Sequence, residues 1–232
     1  MGVAHPSSLP RDPPAVEARE LYRFFHAGDD ETFALRGVSL VVMPGELVAV
    51  VGPSGSGKST LLTCLAGLDE PDGGYVVVAG ERITRRPEAT RAALRAGHIG
   101  MLLQAGNLLE HLTVEQNVRL ARTLGRGAGR SSPGELLRAV GLQDRGSAWP
   151  STLSGGEAAR AGLAVALAND PPILLADEPT GEVDQENEVA VLRLLRARAE
   201  DGAGVVVVSH SERVAAAADR VVALSDGRIV DA

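Results

Sequence analysis

The octet Gly52-Pro53-Ser54-Gly55-Ser56-Gly57-Lys58-Ser59 constrains this chain more than any other stretch. It fits the spacing G-x-x-x-x-G-K-[ST]. It follows the apolar run Leu47 to Val51, which reads as a strand buried on both faces, as in a parallel sheet. Ser59 to Gly67 then reads as a helix ended by glycine. In such a strand–loop–helix unit the glycines let successive backbone N–H groups turn inward on an anion, and the helix start adds its positive dipole end. The loop from Gly52 through Thr60 is therefore a candidate cradle for the phosphates of a nucleotide. Lys58 can reach the β- and γ-phosphates, and the Ser59 hydroxyl can ligate Mg²⁺. Lys58 is also the only lysine among the 23 lysine and arginine residues. A guanidinium fork cannot replace its compact charge inside a tight loop.

A second element is Ile173-Leu174-Leu175-Ala176-Asp177-Glu178-Pro179, an apolar strand ending in two adjacent acids. Asp177 can orient the magnesium's water shell, and Glu178 can polarise an attacking water, because both leave the carboxyl edge of the sheet where phosphates bind. Phosphate loop and acidic strand end together indicate a nucleoside triphosphatase without naming its class.

The remaining pattern fits one α/β domain. Strand-like runs occur at Ala34–Met43, Glu46–Val51, 73–83, Ile173–Ala176, Val205–Val208 and Val221–Ala223, the last with an Asp226-Gly227 turn. Helical spacing appears at Thr113–Leu124, Pro133–Val140, Glu157–Ala168 and Gln185–Glu200. Strands alternating with helices imply a doubly wound, mostly parallel sheet, with a helical insertion over about 105–168. Residues 1–16, rich in proline, read as a disordered leader before a domain over 17–232. The single cysteine, Cys64, excludes an internal disulfide and reads as a small buried hydrophobe. No apolar run approaches the roughly 18 residues of a membrane span. A net charge of −7 argues against nucleic acid and against adsorption on anionic lipid. Membrane attachment would then run through another protein.

A third element decides the class. Leu153-Ser154-Gly155-Gly156-Glu157, just before a helix, is a second glycine-rich helix start with a hydroxyl, another ready anion site. It resembles the signature motif of ABC-transporter ATPases. On that resemblance Gln104 corresponds to the Q-loop glutamine, a magnesium ligand, and Asp184 to the D-loop aspartate. His210 resembles the switch histidine at the γ-phosphate, and Phe25 the aromatic that stacks on adenine. Phe25 to Asp29, Leu65 to Asp69 and Leu174 to Gly181 look like the branch holding macrolide-exporter, lipoprotein-release and antimicrobial-peptide-resistance ATPases.

The resemblance covers about residues 17–231. It implies a P-loop, RecA-like core with an antiparallel β lobe and a helical lobe. Two copies would meet head-to-tail, each ATP lying between one copy's phosphate loop and the other's Ser154, Gly155, Gly156 and Glu157. Catalysis would fall to Glu178, His210 and Lys58, and Mg²⁺ to Ser59, Gln104 and Asp177. The partner would be an integral membrane permease on separate chains, with the ATPase cytoplasmic and peripheral on the inner face of the membrane. Four positions depart from the family pattern: Ala158 and Ala159 stand where two glutamines are usual, Phe25 replaces tyrosine, and Ser211 replaces aspartate. Two alternatives remain open at this level. One is a non-transport ABC ATPase of DNA repair or translation, although such proteins carry long insertions, paired ATPase domains or basic patches. The other is a weakly hydrolysing regulatory subunit. Trp149 is expected to pack against the helical lobe.

Overall fold

A computed structural model describes residues 13–27, 30–125, 129–179 and 185–230. Two sheets dominate it. Five strands of the larger sheet run parallel: β3 (Leu47–Val51), β6 (Ile99–Leu102), β7 (Ile173–Asp177), β8 (Gly204–Val208) and β9 (Arg220–Ser225). The hairpin partner β10 (Arg228–Val230) closes one edge antiparallel to β9. The order β10-β9-β3-β8-β7-β6 puts β3 between β9 and β8, so the chain switches direction across the sheet beside β3. In an open α/β sheet that switch point, at the carboxyl ends of the strands, is where ligands bind.

The smaller sheet is antiparallel, in the order β2-β1-β4-β5, from β1 (Val16–Ala27), β2 (Asp30–Val42), β4 (Gly73–Val78) and β5 (Glu81–Arg82). Its inner face carries Val16, Ala18 and Leu21 from β1 and Leu35, Val38, Leu40 and Val42 from β2. The spacing from Ala18 to Leu21 breaks the alternation of a regular strand. A register shift between them, with Glu20 at φ 46°, absorbs the extra residue and returns Leu21 to the core.

Between the sheets lies α1 (Lys58–Leu65), whose Leu61, Leu62, Cys64 and Leu65 are buried with Val48, Val50, Val206 and Val208. The alternate residues Leu47, Ala49, Val205 and Val207 face a second core with Val191 and Leu195 of α6 (Gln185–Glu200). Strands buried on both faces are continuous apolar runs for this reason, each fully buried Val or Leu contributing about 1.5–3 kcal/mol.

A third core joins α3 (Val114–Leu124), α4 (Pro133–Ala139) and α5 (Gly155–Ala166) through Val114, Val118, Leu136, Leu137, Ala161 and Ala164. Capping boxes start all three helices, at Thr113/Gln116, Ser132/Glu135 and Ser154/Glu157. The helical block is not a detached lobe. Helix α5 turns Ala161 and Ala164 to the helical core and Leu163 and Ala166 to the central sheet.

Several expectations need correction. Helix α2 (Glu88–His98) was not legible, because only Leu94 is buried; Glu88 pairs with Arg91 and Arg95 on its exposed side. Strand β6 and the short α7 (Glu212–Ala217) were also unforeseen. The single strand expected over 73–83 is two, β4 and β5, turning at Ala79-Gly80 with both residues at positive φ. The leader expected over residues 1–16 cannot reach Val16: Ala15 and Val16 are packed in the core, 3% and 0% exposed. Residues 1–12 lie outside the described residues. Trp149 is 48% exposed rather than packed against the helices, while Cys64 is fully buried as expected.

Candidate active site

The phosphate loop leaves the carboxyl end of β3 and enters α1 with Gly52, Gly55 and Gly57 at φ 153°, 78° and 102°. The requirement for glycine is sharpest at two of them. A Cβ on Gly52 would collide with the carbonyl oxygen of Leu224, and one on Gly57 with that of Ala34. The loop is thus wedged between β9 and β2. Lys58 Nζ spans it, donating to the carbonyls of Gly52 at 2.8 Å and Pro53 at 2.9 Å. Ser56 lies under the loop, its hydroxyl buried and without a partner.

Three neighbouring strand ends face this loop. From β7 come Asp177 and Glu178. The Asp177 Oδ1 is buried with no hydrogen-bond partner. Burial pushes the Asp177 carboxyl above its ordinary range, with the Ser59 hydroxyl opposing the shift. Glu178 adopts φ 44°, and its N–H donates to Val208 O at 2.9 Å. From β8 come Ser209 and His210: Ser209 Oγ donates to Glu178 Oε2 at 3.1 Å, and His210 Nδ1 lies 3.0 Å from Oε1. Beyond β6 comes Gln104, on a loop pinned by Asn107, which exchanges hydrogen bonds of 2.7 and 2.6 Å with the Leu103 backbone.

A cleft of about 560 Å³ brings these groups together. Its lining includes Phe25, Gly52, Ser54, Gly55, Gly57, Lys58, Ser59, Thr60, Gln104, Asp177, Glu178 and His210. Pro53 and Ser56 belong to the same loop but do not line the cleft. Ser154, Gly155, Gly156 and Glu157 sit apart from it, at the start of α5. There the Ser154 hydroxyl accepts from Glu157 N at 3.3 Å, and Glu157 Oε2 accepts from Ser154 N at 2.9 Å. The Ser154 N–H, aided by its hydroxyl and by Arg145 at 2.9 Å, holds the Glu157 carboxyl below its ordinary range. Gly156 is tight against α6, since a Cβ there would strike the Asn187 side chain. Asp184 lies outside the described residues.

Sequence reasoning missed two groups in or beside the cleft. Ser209 grips the Glu178 carboxylate, and only its position before His210 could have suggested it. Thr32 and Ala34 of β2 form a wall. No sequence motif marks them.

Mg²⁺ fits this site on its donor chemistry. Asp177 offers an unpartnered buried oxygen beside the Ser59 hydroxyl, both hard ligands. Among the described residues no cluster of three or more His, Cys, Asp or Glu could hold a metal by itself. That suits an ion held by one or two protein oxygens with substrate phosphates and waters.

A glycine loop at the switch point of a parallel sheet, facing an Asp-Glu strand end, defines a P-loop nucleoside triphosphatase. The chain belongs to the ABC transporter family, whose pattern matches residues 35–181. It is an ATP-binding cassette of the ABC ATPase type. It is 41% identical over 220 residues to the macrolide export ATP-binding/permease protein MacB of Shigella flexneri, and 40% identical to MacB of Escherichia coli K12. These alignments cover 94% of this chain and 34% of each relative, so the chain spans about a third of their length. The fold matches an ATP-binding cassette in a dimeric post-hydrolysis state bound to ADP and Pi, with TM-score 0.86 and 33% identity over 93% of this chain and 97% of that one. A second dimeric structure of that same cassette, described as a bacterial ABC transporter cassette, matches with TM-score 0.85 and 32% identity, over the same shares of each chain.

Proposed function

We propose that this protein hydrolyses MgATP between two copies of itself and uses the resulting closure and opening to drive integral membrane permease subunits, of the macrolide-exporter or lipoprotein-release type. One observation carries the reading. The phosphate loop converges with Glu178 and His210 on one cleft, while the second glycine-rich helix start, at Ser154, lies outside it and has no nucleotide of its own to serve. A head-to-tail pair gives that second site its ligand, the nucleotide of the opposite copy, and two-fold symmetry makes both sites equal.

In the cleft, Lys58 exchanges its two loop carbonyls for β- and γ-phosphate oxygens, and the loop N–H groups take up further phosphate charge. Ser59, Asp177 and Gln104 would hold Mg²⁺, which neutralises developing charge on the phosphates when bound. Glu178 accepts hydrogen bonds on both oxygens, from Ser209 and His210. Freed from one of them, it orients and polarises the water that attacks the γ-phosphorus. His210, at the cleft's rim, turns to the γ-phosphate and loses that contact once phosphate departs. Phe25 supports the adenine. The Ser154 hydroxyl accepts from Glu157 N and keeps its own proton, which it offers to the partner copy's γ-phosphate.

Among the described residues no helix is long and apolar enough to cross a membrane. We place the cassette on the cytoplasmic face, bound through the permease. The MacB relatives, named as ATP-binding/permease proteins, support a permease of that kind. Phosphate release from MgATP by the purified chain, alone and with co-expressed permease subunits, tests the reading. Stimulation by the permease is expected. Absence of MgATP hydrolysis under both conditions would reject it.

A further inference from the structure

Phe25 is backed by a cation. The Arg23 guanidinium carbon lies 4.5 Å from the centroid of the Phe25 ring. The two residues are two apart on β1, so their side chains leave the same face of the strand. Phe25 lines the nucleotide cleft and is 42% exposed, whereas Arg23 does not line it. The ring therefore stands between the guanidinium and the cleft.

Two carboxylates fix that guanidinium. Its Nε donates to Asp69 Oδ2 at 2.8 Å and its Nη1 to Asp72 Oδ2 at 3.1 Å. The Asp72 carboxylate also accepts the Phe24 N–H at 3.0 Å, and the Asp72 N–H donates to Tyr22 O at 2.8 Å. Asp69 and Asp72 lie in the connection that leaves α1, the helix opened by the phosphate loop. The orientation of the ring is thus tied to the element that holds the phosphates, through one planar side chain. Two ion pairs alone would satisfy Arg23 without a ring. The stacking adds something a tie does not need: a fixed cation on the far face, which holds the ring's plane and draws on its negative quadrupole. The face left to the cleft is a rigid platform for a flat, electron-rich heterocycle.

We propose that Arg23 is a positioning residue for base recognition, which sets Phe25 as a stacking platform for the purine of the nucleotide and leaves the phosphates to the glycine loop. This inference rests on the reading of the cleft as the ATP site.

Calorimetric titration of the full chain with MgATP and with magnesium tripolyphosphate, which has no base, separates the two subsites. Arg23→Ala is expected to weaken MgATP about fivefold, the scale of one partly buried cation–π contact, and to leave tripolyphosphate unchanged. Arg23→Lys keeps a charge for Asp69 and Asp72 but cannot lie flat on the ring. It guards against a folding defect in the alanine variant and is expected to show the same selective loss, smaller in size. In a Phe25→Ala background, Arg23→Ala should cost nothing further. Equal loss of both ligands, loss of neither, or simple additivity with Phe25→Ala would each overturn the proposal. Wild-type MgATP affinity in Phe25→Ala would instead overturn the platform reading beneath it. A Phe25→Ala protein that loses MgATP while Arg23→Ala and Arg23→Lys do not would overturn the role of Arg23 alone.

Discussion

The imidazole Nδ1 of His210 lies 3.0 Å from Glu178 Oε1, across 32 positions of sequence. The other carboxylate oxygen is held by Ser209, whose own oxygen accepts the Ser211 N–H at 3.1 Å. Glu178 is thus engaged on both sides while carrying a backbone φ of 44°, a region in which a residue other than glycine is strained by about 1–3 kcal/mol. Strain at this position, overdetermined by β7 and β8, is consistent with a carboxylate held ready for use.

The first prediction removes that carboxylate. Glu178→Gln keeps the side chain's shape and should lower turnover by about 10²–10⁴-fold, the usual contribution of a general base. With MgATP it should accumulate as a closed dimer. Adding Ser154→Arg should abolish the dimer, because the cation fills the space meant for the opposite phosphate, while nucleotide binding by the monomers persists. Size-exclusion chromatography with light scattering, with and without MgATP, reads both results. A Glu178→Gln protein that stays monomeric in saturating MgATP would count against the two-copy mechanism.

A second prediction concerns Lys58, whose Nζ bridges two loop carbonyls. No other lysine exists to supply its charge. Lys58→Ala should weaken MgATP by roughly 100-fold or more, about 3 kcal/mol of charge-assisted hydrogen bonding. Its melting temperature should change little. Equilibrium titration within a few-fold of wild type would show that the site is misassigned.

The departure at position 158 gives a third. Ala158 is half-buried and lines a cavity of about 240 Å³ beside Gln104, Gly155 and Glu178, so a longer side chain has room there. Ala159 lines the same cavity and also packs against the core shared with α6. Ala158→Gln should tighten the MgATP-bound dimer by about 1 kcal/mol, one added hydrogen bond, without altering binding to the monomer. Sedimentation at several protein concentrations measures this. An unchanged dimer constant would mean that the missing glutamine is immaterial here.

The fourth uses Cys64. Burial on the inner face of α1 pushes its thiol up to about 12, so the reactive thiolate is scarce at any ordinary pH. A thiol reagent such as Ellman's should modify native protein at pH 8 negligibly over an hour, and modify one thiol per chain at once in denaturant. Rapid labelling of the native state would contradict the packing of α1 between the sheets.

The phosphate loop, the Asp177-Glu178 strand end and the Ser154 helix start were all legible in the sequence because their geometry is local. Glycine at a positive φ, a hydroxyl at a helix start and an acid at the end of an apolar strand each act within a few residues. The strands β3, β7 and β8 were legible too, since burial on both faces demands unbroken Val, Leu and Ile. Helix α2 was not, because it buries only Leu94 and so lacks a broad apolar stripe.

What the sequence by itself determined, then, was the class of chemistry and the elements that carry it, through backbone geometry and hydrophobic period. Tertiary structure alone decided which distant groups meet. It set Ser209 and His210 against Glu178, Arg23 and its two aspartates behind Phe25, and α5 between the helical core and the central sheet. It also left Trp149 exposed. These contacts arise from strand order and helix packing, which bring together residues tens of positions apart. A hydrogen bond or a stacked ring of that range leaves no periodicity for a sequence to display.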